Sequence, residues 1–122
     1  FTNSLGYETL TEIPEITQEI LEKGLVLVYR YATNNIGQKL PHLFPMPSLA
    51  LVGDVQYLFD FHYGKGWVTV SQHPGDFISS AVSFYIRVAI ISPGSLNAAK
   101  QAGVNTSDLS AVSAYFGIAR MP

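Results

Sequence analysis

The sequence predicts a mainly β domain: an antiparallel β-sandwich or jelly-roll-like fold with two or three short peripheral helices. Most apolar segments are short, rich in β-branched and aromatic residues, and bounded by Gly and Pro. They follow one another as hairpins and turn-separated strands, without long helices that could cross between parallel strands. The 122 residues, 48% of them hydrophobic, contain no repeat or linker, so residues 1–122 form a single domain. A small α+β domain is the alternative.

The first third of the chain predicts an edge strand, a short helix and a central strand. Residues 7–13 alternate along an extended segment, and Pro14 ends it because proline cannot donate to a sheet. Thr17 caps a short helix, and Gly24 lies where that helix ends. Residues 25–31, LVLVYRY, are apolar on both faces, which indicates a strand inside a sheet.

The next segment predicts a loop and then a short strand. Residues 34–47 contain one glycine and three prolines, so we expect an irregular loop. Its apolar side chains pack on the core; they are Leu40, Leu43, Phe44 and Met46. Residues 48–52 form a short strand that ends at the turn of Gly53 and Asp54.

Residues 56–72 predict a β-hairpin whose register follows from parity. The first strand places four aromatic residues on one face: Tyr57, Phe59, Phe61 and Tyr63. A loop of two or four residues around Lys65 and Gly66 pairs Phe61 with Val70, whereas a three-residue loop would pair it with a threonine. We therefore expect an even loop.

The last third of the chain predicts a strand followed by two helices. Residues 81–91 alternate between apolar and polar side chains, which is typical of a long, half-buried strand. Residues 93–94, Pro-Gly, end this strand, and a short helix follows over 96–102. Residues 105–107 offer caps for a last helix, which Gly117 ends.

The composition excludes several classes of protein and of partner. Only 13% of the residues are charged and the net charge is −2, so the chain has neither the basic surface of nucleic-acid binding nor a polybasic membrane patch. No apolar segment approaches the roughly 20 residues of a membrane span. The absence of cysteine excludes disulfides and a thiolate site. Because the chain opens at Phe1 without an initiator Met, we expect it to be the C-terminal part of a longer protein whose upstream region has been removed.

The candidates for catalysis or metal binding all have simpler structural explanations. Asp60 and His62 share a strand face with Thr69 and Ser71, but a metal usually takes three or four ligands, and the exposed face of a hairpin explains these residues. Ser95 follows a predicted strand without a nucleophile-elbow motif, so capping explains it. We expect no catalytic residue, metal or cofactor, and a small hydrolase is the enzyme alternative.

Aromatic residues are the best candidates for binding. Trp67, Tyr63, Tyr57 and Tyr85 could form a flat platform of the kind that sugars and protein partners favour. Arg87 lies beside Tyr85 and could hold a carboxylate or stack on a ring. Core packing is the alternative for the four aromatic residues, and a structural ion pair or a snorkelling side chain is the alternative for Arg87.

Three segments carry a family resemblance. They are VLVY at 26–29, YIRVAII at 85–91 before Pro93-Gly94, and DLSAVSAYFGI at 108–118. In this order they resemble an uncharacterised family of secreted lipoproteins from Bacteroides-like gut bacteria. Leu109 departs from the tyrosine of that family's closing helix, and residues 32–52 have no counterpart. The resemblance implies export, with an outer-membrane-anchored or extracellular location, and it assigns no activity.

Together these observations predict an extracellular or cell-surface binding or structural module without catalytic activity. A carbohydrate-binding module with an aromatic platform is the sharper alternative, so the expected partners are a glycan or another protein. Because few charges interrupt an apolar surface, we also expect self-association to a homo-oligomer. The expected contact sites are residues 40–47 and the hairpin over 57–70, which could present an unpaired strand edge.

Overall fold

A computed structural model describes residues 7–34, 36, 38–52, 54–75, 82 and 84–118. The described residues form seven strands and three short helices. In chain order these are β1 (Tyr7–Glu12), α1 (Gln18–Lys23), β2 (Leu25–Thr33), β3 (Lys39–Pro45), β4 (Ser48–Val52), β5 (Val55–Gly64), β6 (Trp67–Pro74), β7 (Ile86–Ile91), α2 (Pro93–Gln101) and α3 (Leu109–Phe116).

The strands form two antiparallel sheets, which confirms the predicted mainly β fold with short peripheral helices. Sheet A has the strand order β1-β6-β5-β4, and sheet B has the order β3-β2-β7. The sheets pack face to face, and α2 and α3 cover the other face of sheet B. Sheet B is therefore covered on both faces, whereas none of the described helices or strands covers the outer face of sheet A.

Two apolar cores follow from this layering. The first fills the space between the sheets with side chains from both sheets and from α1, including Ile20, Val26, Val28, Phe59, Val68 and Val70. The second lies between sheet B and the last two helices and includes Tyr29, Leu43, Ile91, Leu96 and Val112. Alternate residues of β2 enter the two cores, which confirms the prediction that this strand is buried on both faces.

The predicted helix ends are partly correct. The Thr17 hydroxyl accepts the N–H of Ile20 at 3.3 Å, which confirms the cap of α1. α2 begins at Pro93, earlier than predicted, because Ser92 caps it and proline suits the first helical turn. Asp108 caps α3 instead of residues 105–107.

The prediction of an irregular loop over residues 34–47 is wrong, because residues 39–45 form the edge strand β3. An edge strand has one free side, where a proline needs no N–H partner. The N–H of Met46 donates to the carbonyl of Val28 at 2.9 Å. Because backbone groups alternate along a strand, the nitrogen of Pro45 faces the free side, away from β2. Leu43 and Met46 are buried, as expected for apolar side chains of this segment.

The predicted hairpin register is confirmed, but its strands are not edges. Lys65 and Gly66 form the turn, Phe61 pairs with Val70, and Gly66 has the positive φ of 83° that glycine tolerates. The expected unpaired edge is absent here because β1 and β4 flank the hairpin on its two sides. β7 begins only at Ile86, and the expected strand residues at 81 and 83 lie outside the described part of the chain.

Candidate functional site

The five residues proposed as an aromatic platform lie in three different parts of the fold. Tyr57 is buried on the inner face of β5, in the core between the sheets, and therefore does not contribute to a surface. Tyr63 lies on the same face at the hairpin end of β5, where it is exposed and stacks on Phe61 with a centroid distance of 6.1 Å. Both tyrosines lie on the inner face of β5 because side chains alternate along a strand. Tyr57 is in the core, and Tyr63 is at the edge of the core.

Trp67 lies on the opposite, outer face of sheet A. Its strand partner is Gly64, and the half-buried indole lies so close to Gly64 that a Cβ there would come within 2.6 Å of Trp67 Cζ2. His62 meets the indole edge-on, with ring centroids 5.4 Å apart. The ring thus covers the hairpin backbone, and it shares no surface with Tyr57.

Tyr85 lies just before β7, and Arg87 lies within β7 in sheet B. Tyr85 is exposed, and its carbonyl accepts the N–H of Tyr31 at 2.9 Å. Arg87 lies on the face toward the helices, where its Nη1 donates to the carbonyl of Ile118 at 2.6 Å. Arg87 therefore binds the backbone that follows α3. This contact is structural and gives no support to a role in ligand binding.

The polar residues considered for catalysis share one face of the hairpin, as the alternation of side chains predicts. On the outer face of sheet A, Asp60 pairs with Ser71 and His62 with Thr69. Among the described residues, no three His, Cys, Asp or Glu side chains come together in a way that could hold a metal ion. At the start of α2, the Ser92 hydroxyl accepts the N–H of Ser95 at 3.2 Å, which is a capping contact.

Arg30 is a buried cation that sequence analysis did not single out. It is only 8% exposed and projects from β2 into the core between the sheets. Its guanidinium lies 4.9 Å from the ring centre of Phe44 and 5.0 Å from that of Phe59, and its Nε donates to the Ser48 hydroxyl at 3.4 Å. Burial lowers the pKa of Arg30, and the two aromatic faces offset part of the lost hydration.

A cleft opens between the two sheets, on the side where β1 faces the chain leading into β7. It has a volume of about 390 Å³. One wall is sheet A, with Thr9 and Thr11 of β1 beside Val70 and Gln72 of β6, and the wall that faces it carries Val82, Phe84 and Ile86. The wall on sheet A therefore carries hydroxyl, amide and hydrocarbon groups, and the opposite wall carries hydrocarbon side chains.

Gln72 holds the two walls of this cleft together. Its side-chain amide is buried and makes two hydrogen bonds to the backbone of Val82: Nε2 donates to the carbonyl at 3.1 Å, and Oε1 accepts the N–H at 2.8 Å. The amide thus replaces a strand partner for Val82, which lies before the first residue of β7. The spacing of the walls is set by the length of a glutamine side chain.

The sequence predicts which residues of each segment share a face, but it does not predict the cleft itself. The alternation of 7–13 and of 81–91 predicts which residues share a face, and Thr9, Thr11, Val82, Phe84 and Ile86 do so. It does not show that the two segments face each other, because no sequence pattern specifies how two sheets are stacked.

A comparison of the chain with protein families, curated proteins and solved structures finds no match to any of the three. None of the described helices is both long enough and apolar enough to cross a membrane.

Proposed function

We propose that this chain is a binding module without catalytic activity, and that the cleft between β1 and residues 82–86 holds its ligand. The observation that carries the proposal is the composition of the cleft. Its described lining residues supply hydroxyl, amide and hydrocarbon groups, and none of them is His, Asp, Glu, Lys or Arg. Such groups can orient a ligand, whereas acid–base chemistry ordinarily uses titratable side chains.

The two walls indicate the chemistry of the ligand. Thr9 and Thr11 can donate to or accept from a polar edge, and Phe84 and Ile86 can cover an apolar one. A charged ligand would lose its hydration here without meeting an opposite charge. We therefore infer an uncharged ligand with one apolar side, and the volume of about 390 Å³ suits a small molecule.

We further propose that the module works outside the cytoplasm, either anchored at the outer membrane or extracellular. This rests on the resemblance of residues 26–29, 85–91 and 108–118 to secreted lipoproteins. Fractionation of cells that express the full-length gene, with immunoblotting of each fraction, tests this location directly.

Carbohydrate binding at Trp67 is the second candidate, because this indole and Tyr63 lie at the hairpin end of sheet A with part of their rings accessible. A sugar would stack on the ring face that does not cover Gly64. A glycan array separates the two candidates. Glycan binding that is lost in Trp67→Ala and retained when the cleft is filled would support the Trp67 site over the cleft.

The cleft itself is tested with N-phenyl-1-naphthylamine, an uncharged apolar dye that fluoresces when it leaves water. Thr9→Phe should fill the cleft and weaken dye binding about tenfold, or about 1.4 kcal/mol. Leu10→Phe is the matched control, because Leu10 is the next residue of β1 and points to the outer face. Binding that is absent from the wild type, or equal in the two variants, would overturn the proposal.

A further inference from the structure

Among the four edge strands that the structure describes, β4 has the sequence least protected against pairing with another chain. Proteins commonly guard edges with charge, proline or a bulge. β1 carries Glu8 and a second glutamate, β3 carries Lys39 and two prolines, and β7 carries Arg87. β4, with the sequence SLALV, has no charge or proline, and its pairing with β5 is regular over all five residues.

The side chains of β4 form an exposed apolar patch. Leu49 is 59% exposed and Leu51 is 73% exposed on the outer face of sheet A. Leu49 pairs with Leu58 of β5, which is also exposed, so the patch continues onto the neighbouring strand. Contiguous apolar surface of this kind usually marks an interface.

The backbone groups of the same two leucines point to the free edge. The carbonyl of Gln56 accepts the N–H of Gly75 at 2.8 Å, so the polar groups of Gln56 face β6 and not β4. Gln56 is the strand partner of Leu51, which makes this a non-hydrogen-bonded pair. The N–H and carbonyl of Leu51 therefore face outward, and by alternation so do those of Leu49.

We propose that β4 pairs antiparallel with β4 of a second copy, about a two-fold axis at Ala50. This register places Leu49 opposite Leu51 of the second copy, and Leu51 opposite Leu49. Both pairs consist of residues whose backbone groups face outward, so the register satisfies the donors and acceptors of both leucines in each copy. The backbone of Pro47 faces the same side as that of Leu49 and Leu51, but proline has no N–H to donate. The hydrogen bonds between the two copies therefore end before Pro47.

The occupant is a second copy because the strand complements itself. The two-fold register brings the two leucines of each copy into one row on one face and leaves no charge to be matched. Sheet A becomes a continuous sheet of eight strands. One strand pair is small beside the roughly 1,200–2,000 Å² of a stable interface, so we expect a dimer that dissociates on dilution.

Sedimentation equilibrium of the full chain, from micromolar to millimolar concentration, tests the association. The wild type should shift from monomer to dimer, and Leu51→Lys should remain monomeric because lysine guards an edge strand. Leu10→Lys is the matched control, since Leu10 is 61% exposed on the outer face of the edge strand β1. A monomeric wild type, or a dimer that Leu10→Lys disrupts and Leu51→Lys does not, would overturn the proposal.

The register is tested by cross-linking, which the cysteine-free sequence allows. Leu49→Cys and Leu51→Cys are prepared separately and mixed under mild oxidation. Residues 49 and 51 face each other across the axis, whereas two copies of residue 49 lie diagonally apart, so the mixed disulfide should form faster than either homodimer. Equal rates for the three products would show that the strands do not pair about Ala50.

Discussion

Gly64 lies beneath the indole of Trp67, and no methyl group fits between them. We predict that Gly64→Ala destabilises the protein by about 1–3 kcal/mol, the usual cost of overpacking, because its Cβ would lie 2.6 Å from Trp67 Cζ2. Urea unfolding measures the loss, and the emission maximum of this single tryptophan reports the displacement of its ring.

Gly94 provides the control for that substitution. It lies in the first turn of α2, and a Cβ there would meet nothing within 4 Å. Gly94→Ala should therefore stabilise the protein by up to about 1 kcal/mol through helix propensity. If Gly64→Ala unfolded at the same urea concentration as the wild type, with unchanged emission, the contact of Trp67 with the backbone would contribute nothing to stability.

Tyr29 makes stability depend on pH in the alkaline range. Its side chain is fully buried and shares a 2.5 Å hydrogen bond with Ser113 of α3. Burial raises the pKa of Tyr29 above its usual value of 10.0, and the Ser113 hydrogen bond and the charge of Arg87 oppose that rise. The folded state thus holds the phenol proton more tightly than the unfolded state, so this contribution to stability is complete below pH 10 and declines as pH rises through the folded pKa.

We predict that Tyr29→Phe lowers the free energy of unfolding at neutral pH by about 1 kcal/mol, because Ser113 loses its buried partner. The variant should also lose less stability than the wild type as the pH rises above 10.0, the ordinary tyrosine value. Thermal unfolding measured at a series of pH values checks both effects. Tyr115→Phe, at an exposed tyrosine, is the control for removing a hydroxyl. Parallel pH profiles of Tyr29→Phe and the wild type would contradict the prediction.

At the scale of elements, one side chain connects β6 to the segment before β7. Gln72→Leu removes both hydrogen bonds to Val82 and should cost about 2 kcal/mol, since it leaves backbone groups without their partner. The amide of Val82 should also exchange with solvent faster than in the wild type. Hydrogen exchange followed by NMR measures this rate residue by residue.

Gln56→Leu is the control for that change. Gln56 is an exposed glutamine on β5, so its replacement should leave the exchange of the Val82 amide unchanged. Because the same two hydrogen bonds set the spacing of the cleft walls, Gln72→Leu should also weaken dye binding there. Exchange of Val82 at the wild-type rate in Gln72→Leu would show that the glutamine does not hold the segment.

The error over β3 is also explained at the element scale. Two prolines within seven residues argue against a strand inside a sheet, and the prediction of a loop followed from that rule. The same rule permits prolines on the free side of an edge strand. Whether a segment is an edge depends on what lies beside it, and the sequence of the segment alone does not contain that information.

At the scale of the whole molecule, the two sheets differ in what covers them. Sheet B lies between sheet A and the helices, so β2 buries side chains on both faces. None of the described elements covers the outer face of sheet A, where the exposed residues Asp60 and His62 and the exposed leucines of β4 lie. Leu49, Leu51 and Leu58 form the apolar part of this face, next to the edge at which we propose that β4 associates.

The sequence by itself determined the elements whose signals are local: the edge strand β1, the capped helix α1, the apolar strand β2 and the even turn of the β5–β6 hairpin. Periodicity, caps and turn residues act over a few residues, so they can be read without knowing the fold. Only the tertiary structure decided that β3 is an edge strand, that Arg30 lies between two aromatic rings, and that Thr9 faces Phe84 across a cleft. The first depends on which strands lie beside β3, and the other two depend on how the sheets stack. Both are decided by contacts between residues far apart in the chain.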